Sequence, residues 1–199
     1  TQVSTVTKTV HVYKPPVVDF ELSATKGCFP LDVEFTAKSL PGDGSIAAYF
    51  WDFGDGNVMN TTEPVVRHTF TAAGNRSVSL TVTNSVGCQS TLLKEKLVNV
   101  LPEIRAAFSP QNSFICSVTD PVKFINASVG PGQLSYAWDF GDGQTSTQKD
   151  PSHVFGNKGS FFSKLTVTSS EGCSHTTTLT DAINVANFQT DFEVMDSLC

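Results

Sequence analysis

Two six-residue stretches carry the densest chemistry in the chain. Trp51-Asp52-Phe53-Gly54-Asp55-Gly56 and Trp138-Asp139-Phe140-Gly141-Asp142-Gly143 each set two carboxylates three positions apart beside aromatic rings. Closely spaced carboxylates are what a calcium site is made of. This spacing is not that of an EF-hand loop, however, and neither pair supplies the roughly six to eight oxygens the ion takes. An interdomain calcium site using Asp19 or Glu21 is no better supported. Exposed tryptophans can stack on sugars, but Trp51 and Trp138 alternate in phase with Tyr49/Phe53 and Tyr136/Phe140. A period of two aims them at one face of a strand, toward a core. Asp52 and Asp139 then point to the opposite face, placed to accept hydrogen bonds from turn amides. Asp55-Gly56 and Asp142-Gly143 suit a tight hairpin turn that needs positive φ.

Other reactive residues give little support to catalysis. His68 and His153 recur just before Thr69-Phe70 and Val154-Phe155, which makes them architectural. His11 and His175 have no repeated counterpart. No G-x-S-x-G elbow, H-E-x-x-H pair, P-loop or Cys-His zinc spacing occurs. A formal charge of -6 with only 13 Lys+Arg excludes a phosphate-backbone binder, so no nucleic-acid partner is expected. No apolar run reaches the roughly 18 residues of a membrane helix. Val and Thr fill 45 of 199 positions and 15 residues are Phe, a composition that favours pleated, half-buried strands over helices or disorder.

The elements that position these residues come in two copies. Tyr49 to Gly56 recurs as Tyr136 to Gly143, His68-Thr69-Phe70 as His153-Val154-Phe155, Leu80-Thr81-Val82-Thr83 as Leu165-Thr166-Val167-Thr168, and Gly87-Cys88 as Gly172-Cys173. Every offset lies between 85 and 87. One module therefore spans 15–100 and a second 103–185. Residues 1–12 line up with 89–100, the last strand of a module. Residues 186–199 read as the first strand of a following one, with Phe192 matching Phe20 and Phe108, and Cys199 matching Cys28 and Cys116. On this reading the chain is a window on a longer array, joined by short Pro-containing segments at 13–16 and 101–103.

Within the first module, alternation and turn signals place strands at about 17–23, 31–37, 46–53, 57–60, 65–70, 76–84 and 90–100. Seven short strands in about 85 residues predict an all-β fold of tandem antiparallel β-sandwiches. Each buries its Trp between two sheets.

The W-D-F-G-D-G motif, the following H-x-F and the L-T-V-T strand resemble the PKD repeat, a seven-stranded immunoglobulin-like sandwich. Gly27-Cys28-Phe29-Pro30 and Gly87-Cys88 further resemble the Cys-bearing repeats of large secreted or cell-surface adhesins of Bacteroidetes-type bacteria. Some PKD modules carry calcium, so that is the one cofactor the resemblance admits; none is expected from the residues. The chain departs from the pattern at Arg76, where an aromatic is usual and Phe161 stands in the second copy. It departs again at Ser163, which replaces the Val78 of the first copy. Cys116 sits in Phe-Ile-Cys-Ser, without the Gly-Cys-x-Pro of the first copy.

The five cysteines admit two pairings. One bridge per module would join Cys28 to Cys88 and Cys116 to Cys173. In a sandwich of this order Cys28 precedes the second strand and Cys88 follows the sixth, and those strands run the same way. The two cysteines then lie at opposite ends, roughly 20–25 Å apart at about 3.3 Å per residue, whereas a disulfide needs Cα atoms within about 7 Å. The alternative is a ladder between modules. Cys28–Cys173 is the bridge this chain can complete, and Cys88, Cys116 and Cys199 pair with modules outside it.

The resulting expectation is a non-catalytic, extracellular spacer and interaction scaffold of a bacterial surface protein or filament. Its partners are neighbouring PKD modules, with self-association into fibres or a surface glycan or protein ligand as further candidates. The rival is a carbohydrate- or protein-binding accessory region of a large secreted hydrolase. A third reading is a eukaryotic receptor ectodomain glycosylated at Asn60, Asn75 or Asn126.

Overall fold

A computed structural model describes residues 6–186. The chain divides between Leu101 and Pro102 into two compact units. Among the described residues every regular element is a strand.

The first unit contains β1 (Phe20–Leu22), β2 (Lys26–Cys28), β3 (Leu31–Ala37), β4 (Ile46–Asp52), β5 (Val58–Thr61), β6 (Val65–Phe70), β7 (Gly74–Asn84) and β8 (Gln89–Leu101). They form two sheets, ordered β1-β3-β6 and β2-β8-β7-β4-β5. Alternating side chains from both sheets meet in one core around Trp51, with Phe20, Phe35, Phe53, Phe70, Leu80 and Val98 buried against it. Phe20 meets the Trp51 ring edge-on at 5.3 Å, and Phe35 tilts against it at 5.6 Å. Burying each side chain of this size is worth about 1.5–3 kcal/mol. The period-two alignment of Val78, Leu80 and Val82 therefore fixes which face of β7 turns inward.

The strand expected over 17–23 is split. Phe20–Leu22 pairs with β3, and after Ser23 donates to the Glu34 carbonyl (2.9 Å) the chain leaves that sheet. Asn99 then donates to the Thr25 carbonyl (2.8 Å), and Lys26–Cys28 runs parallel to the end of β8, with Cys28 level with Leu101. A three-residue strand shows no period, so its change of sheet leaves no mark in the hydrophobic pattern. Residues 6–12, expected as a strand, are in no strand here, and Val6, Val10 and Val12 are exposed.

The second unit contains β9 (Phe108–Pro110), β10 (Phe114–Ile115), β11 (Val122–Asn126), β12 (Leu134–Asp139), β13 (Thr145–Ser146), β14 (Ser152–His153), β15 (Gly159–Phe161), β16 (Lys164–Ser169), β17 (Ser174–Thr178) and β18 (Ile183–Val185). Its sheets are β14-β11-β9, β13-β12-β16-β17 and β10-β18-β15. Phe108, Phe124 and Phe140 surround Trp138 as their counterparts surround Trp51. The long β7–β8 hairpin of the first unit becomes two shorter pairs here. In the first unit the register slips between Arg76 and Val78, and Lys96 sits at φ 48° with its amide on Ser77 Oγ. At the same place in the second unit, Ser163 is fully buried and its hydroxyl donates to the Phe140 carbonyl (3.1 Å). A polar side chain is tolerated in a core when its hydrogen bond is made.

Candidate functional site

The W-D-F-G-D-G motif sits at the end of β4 and the turn that follows. Trp51 and Trp138 are 0% and 1% exposed, so neither offers a face to a ligand. Asp52 Oδ1 accepts the Gly54 amide (2.9 Å) and Asp139 Oδ1 the Gly141 amide (3.0 Å). That bond, then the ion pair from Lys164, holds the Asp139 carboxyl below its usual value. Gly54, Gly56, Gly141 and Gly143 all adopt positive φ, which a tight reversal requires.

The second carboxylate of the motif has a role that turn geometry does not reveal. Asp55 Oδ1 accepts the Asn57 amide (3.0 Å), while Oδ2 accepts a 2.7 Å hydrogen bond from His68 Nε2. Asp142 does the same with the Gln144 amide and His153 Nε2, at 2.9 and 2.7 Å. Each imidazole lies flat on the motif's Phe, His68 on Phe53 at 4.1 Å and His153 on Phe140 at 4.0 Å. Each also meets the Phe two residues further on edge-on, His68 with Phe70 and His153 with Phe155. Burial pushes the Asp55 carboxyl up, but the hydrogen bonds from His68 and Asn57 outweigh it and leave the group below its ordinary value. An Asp–His pair is two-thirds of a hydrolytic triad. Here the ring faces are covered, and among the described residues no hydroxyl hydrogen-bonds either imidazole. The pair acts as a pin from the β4–β5 turn to β6. The signal for it was in the repeat, since Asp55 and His68 recur together, but neither residue type announces a partner.

Among the described residues no group of three or more His, Cys, Asp or Glu is arranged to hold a metal ion. The carboxylates Asp19 and Glu21 face cations of the same unit: Lys94 Nζ is 2.9 Å from Asp19 and Lys38 Nζ 3.6 Å from Glu21.

The cysteines occupy two kinds of place in each unit. Cys28 ends β2 beside the last residue of β8, and Cys116 follows β10, whose Ile115 is level with Val185 of β18. Cys88 and Cys173 immediately precede β8 and β17, the other end of the same hairpin strand. Cys28, Cys116 and Cys173 are disulfide-bonded, whereas Cys88 is a free, partly exposed thiol. A Cys28–Cys88 bridge is therefore ruled out. The reason is the one the strand directions imply: the thirteen residues of β8 separate those two positions by about 40 Å. Cys116, expected to pair with a module outside this chain, is disulfide-bonded. Cys199 lies outside the described residues.

Comparison with known proteins agrees with the geometry. The sequence model of the PKD domain matches twice, over residues 13–100 and 99–185. A microbial collagenase of Vibrio alginolyticus is 43% identical over 77 residues, which is 39% of this chain and 8% of that protein. Human Polycystin-1 is 34% identical over 113 residues, 56% of this chain and 2% of that protein. The chain thus spans a small fraction of either curated relative. Among solved structures, the PKD1 domain of Vibrio anguillarum Epp is 34% identical, covering 45% of this chain and 99% of that one, with a TM-score of 0.39. With the two family matches together taking in both sandwiches and both copies of the motif, this chain belongs to the PKD domain family.

Proposed function

We propose that the chain is a non-catalytic spacer segment of a large extracellular protein, in which tandem PKD modules are stapled to one another by disulfides. The observation that carries this reading is the placing of the cysteines at opposite ends of each unit, with Cys28 and Cys173 bonded and Cys88 excluded as the partner of Cys28. Cys28 lies beside the residue where the first unit ends, and Cys173 lies in the β16–β17 turn of the second. That turn is close to where the unit begins, since the Ala106 amide donates to Nδ1 of His175, two residues on (3.1 Å). These positions support a Cys28–Cys173 staple across the short Pro102 joint. Disulfides persist outside the cytoplasm, which supports an extracellular location. The motif's tryptophans are spent in the cores and its Asp–His pairs as pins.

A covalent staple beside a short joint removes the bending freedom that ordinary module interfaces allow. Such a segment holds a tip away from its anchor and presents its outer sheet faces to neighbouring modules, other copies or a surface ligand. The collagenase relative favours a second reading, in which the spacer is an accessory region of a secreted hydrolase. Non-reducing peptide mapping tests the first point: a Cys28–Cys173 peptide is expected, and any other partner for Cys28 overturns the staple. The domains encoded with this segment separate the two settings. A catalytic domain favours the hydrolase, and many further PKD copies favour a surface fibre.

A further inference from the structure

The β7–β8 turn of the first unit and the β16–β17 turn of the second hold a cysteine in the same clamp. In the first, the Asn84 amide donates to the Cys88 carbonyl (3.0 Å), the Gly87 amide to the Asn84 carbonyl (3.0 Å), and the Cys88 amide to Asn84 Oδ1 (2.8 Å). In the second, the Ser169 amide donates to the Cys173 carbonyl (2.8 Å), the Gly172 amide to the Ser169 carbonyl (3.0 Å), and the Cys173 amide to Ser169 Oγ (3.2 Å). Both glycines sit at φ close to 90° (89° and 87°). The two turns are built alike, and in the second the cysteine is bonded while in the first it is free.

A second observation says what the free thiol faces. The segment that enters the first unit is pinned beside it: the Lys14 carbonyl accepts from Asn84 Nδ2 (3.3 Å) and the Asp43 amide (3.2 Å), and Cys88 Sγ lies 4.0 Å from the Tyr13 carbonyl oxygen. Upstream of Tyr13, Val10 and Val12 correspond to Val98 and Val100 in the alignment of 1–12 with 89–100. Val98 and Val100 are 0% and 1% exposed, whereas Val10 and Val12 are 81% and 84% exposed. Residues 6–12 thus carry the core valines of a last strand without the sandwich that would cover them. In that correspondence Tyr13 takes the place of Leu101, the residue level with Cys28. A cysteine at the end of the corresponding short strand of such a sandwich would be level with Tyr13. Neighbouring strands lie about 4.8 Å apart, within the span of about 4.4–6.8 Å that a disulfide bridges between Cα atoms.

We infer that Cys88 is a covalent attachment site for a further PKD module, whose last strand is the segment ending at Val12 and whose cysteine follows its short Cys28-type strand. The inference rests on the stapled-spacer reading and extends it to a thiol for which the chain supplies no partner among the described residues. In forming the bond, each thiol gives up a proton and an electron. The two electrons reduce a disulfide donor, such as oxidised glutathione or a thiol–disulfide oxidase, to two thiols.

The test is to alkylate the native full-length protein with N-ethylmaleimide, without reductant, and to map its peptides. Cys88 is expected to be unlabelled until reduction and linked to a cysteine peptide of another module. A maleimide adduct on Cys88, or a cap by a small thiol, overturns the inference. The same digest reads Cys28. If Cys28–Cys173 is found and Cys88 is alkylated, this inference fails and the spacer reading stands. If Cys28 is linked elsewhere, the staple itself fails.

Discussion

His68 Nε2 and Asp55 Oδ2 are 2.7 Å apart, side chains 12% and 8% exposed, and the imidazole lies parallel to Phe53 beneath the turn. One residue thus closes a polar contact and an aromatic stack together. Replacing His68 with Ala removes both and leaves a shielded carboxylate without its partner. A loss of about 2–3 kcal/mol is expected for the first unit. Asp55→Asn keeps an acceptor and costs about 1 kcal/mol. Trp51 is the first unit's own tryptophan, so denaturant titration followed by its fluorescence in a Trp138→Phe background reads these values.

Acid weakens the first unit through the same pair. The Asp55 carboxyl sits below its ordinary value in the folded state because the bonds from His68 and Asn57 outweigh burial. A depressed folded value means the stabilisation is whole above an unfolded value of about 3.9 and drains as pH falls through the folded one. The stability gap between the wild type and Asp55→Asn should therefore shrink below about pH 4. A gap that stays constant down to acid unfolding contradicts this.

The two tryptophans differ in one bond. Trp138 Nε1 donates to the Gln148 carbonyl (2.8 Å), while Trp51 Nε1 is buried without a partner. The cause lies in the adjoining edge strands. Thr61 is held in the ladder opposite Tyr49, whereas the second unit's ladder ends at Ser146 and lets the chain turn a carbonyl inward. Trp138→Phe should thus cost about 1 kcal/mol more than Trp51→Phe, beyond the shared loss of packing. Circular dichroism melts of each variant measure the difference.

Neighbouring glycines in one turn are unequal. A methyl added at Gly54 would overlap the Ser77 carbonyl oxygen, while at Gly56 nothing lies within 4 Å. Both residues have positive φ, so Gly56→Ala bears only the backbone strain, about 1–2 kcal/mol. Gly54→Ala adds a backbone displacement of β7 and is expected to lower the melting temperature clearly more. Equal effects of the two substitutions would show that the turn moves freely away from β7.

Much of the fold is legible from period and repetition. A strand whose apolar residues alternate over five positions, such as β3 with Leu31, Val33 and Phe35, falls where the pattern puts it. The change of sheet at Ser23–Thr25 is not legible, because β1 and β2 are three residues each and their pairing depends on backbone bonds. Nor is the tie between Asp55 and His68, which joins two residues thirteen positions apart that each have a sufficient local explanation. The opposite placing of Cys28 and Cys88 follows from strand direction alone.

The change of sheet has a further outcome when the ends of the first unit are pulled apart. Because Lys26–Cys28 runs parallel to Asn99–Leu101, tension along the chain draws these strands past each other lengthwise. Their hydrogen bonds then resist together instead of opening one after another from an end. Three residues therefore act as a shear clamp, and Cys28 sits at its outer edge, level with Leu101.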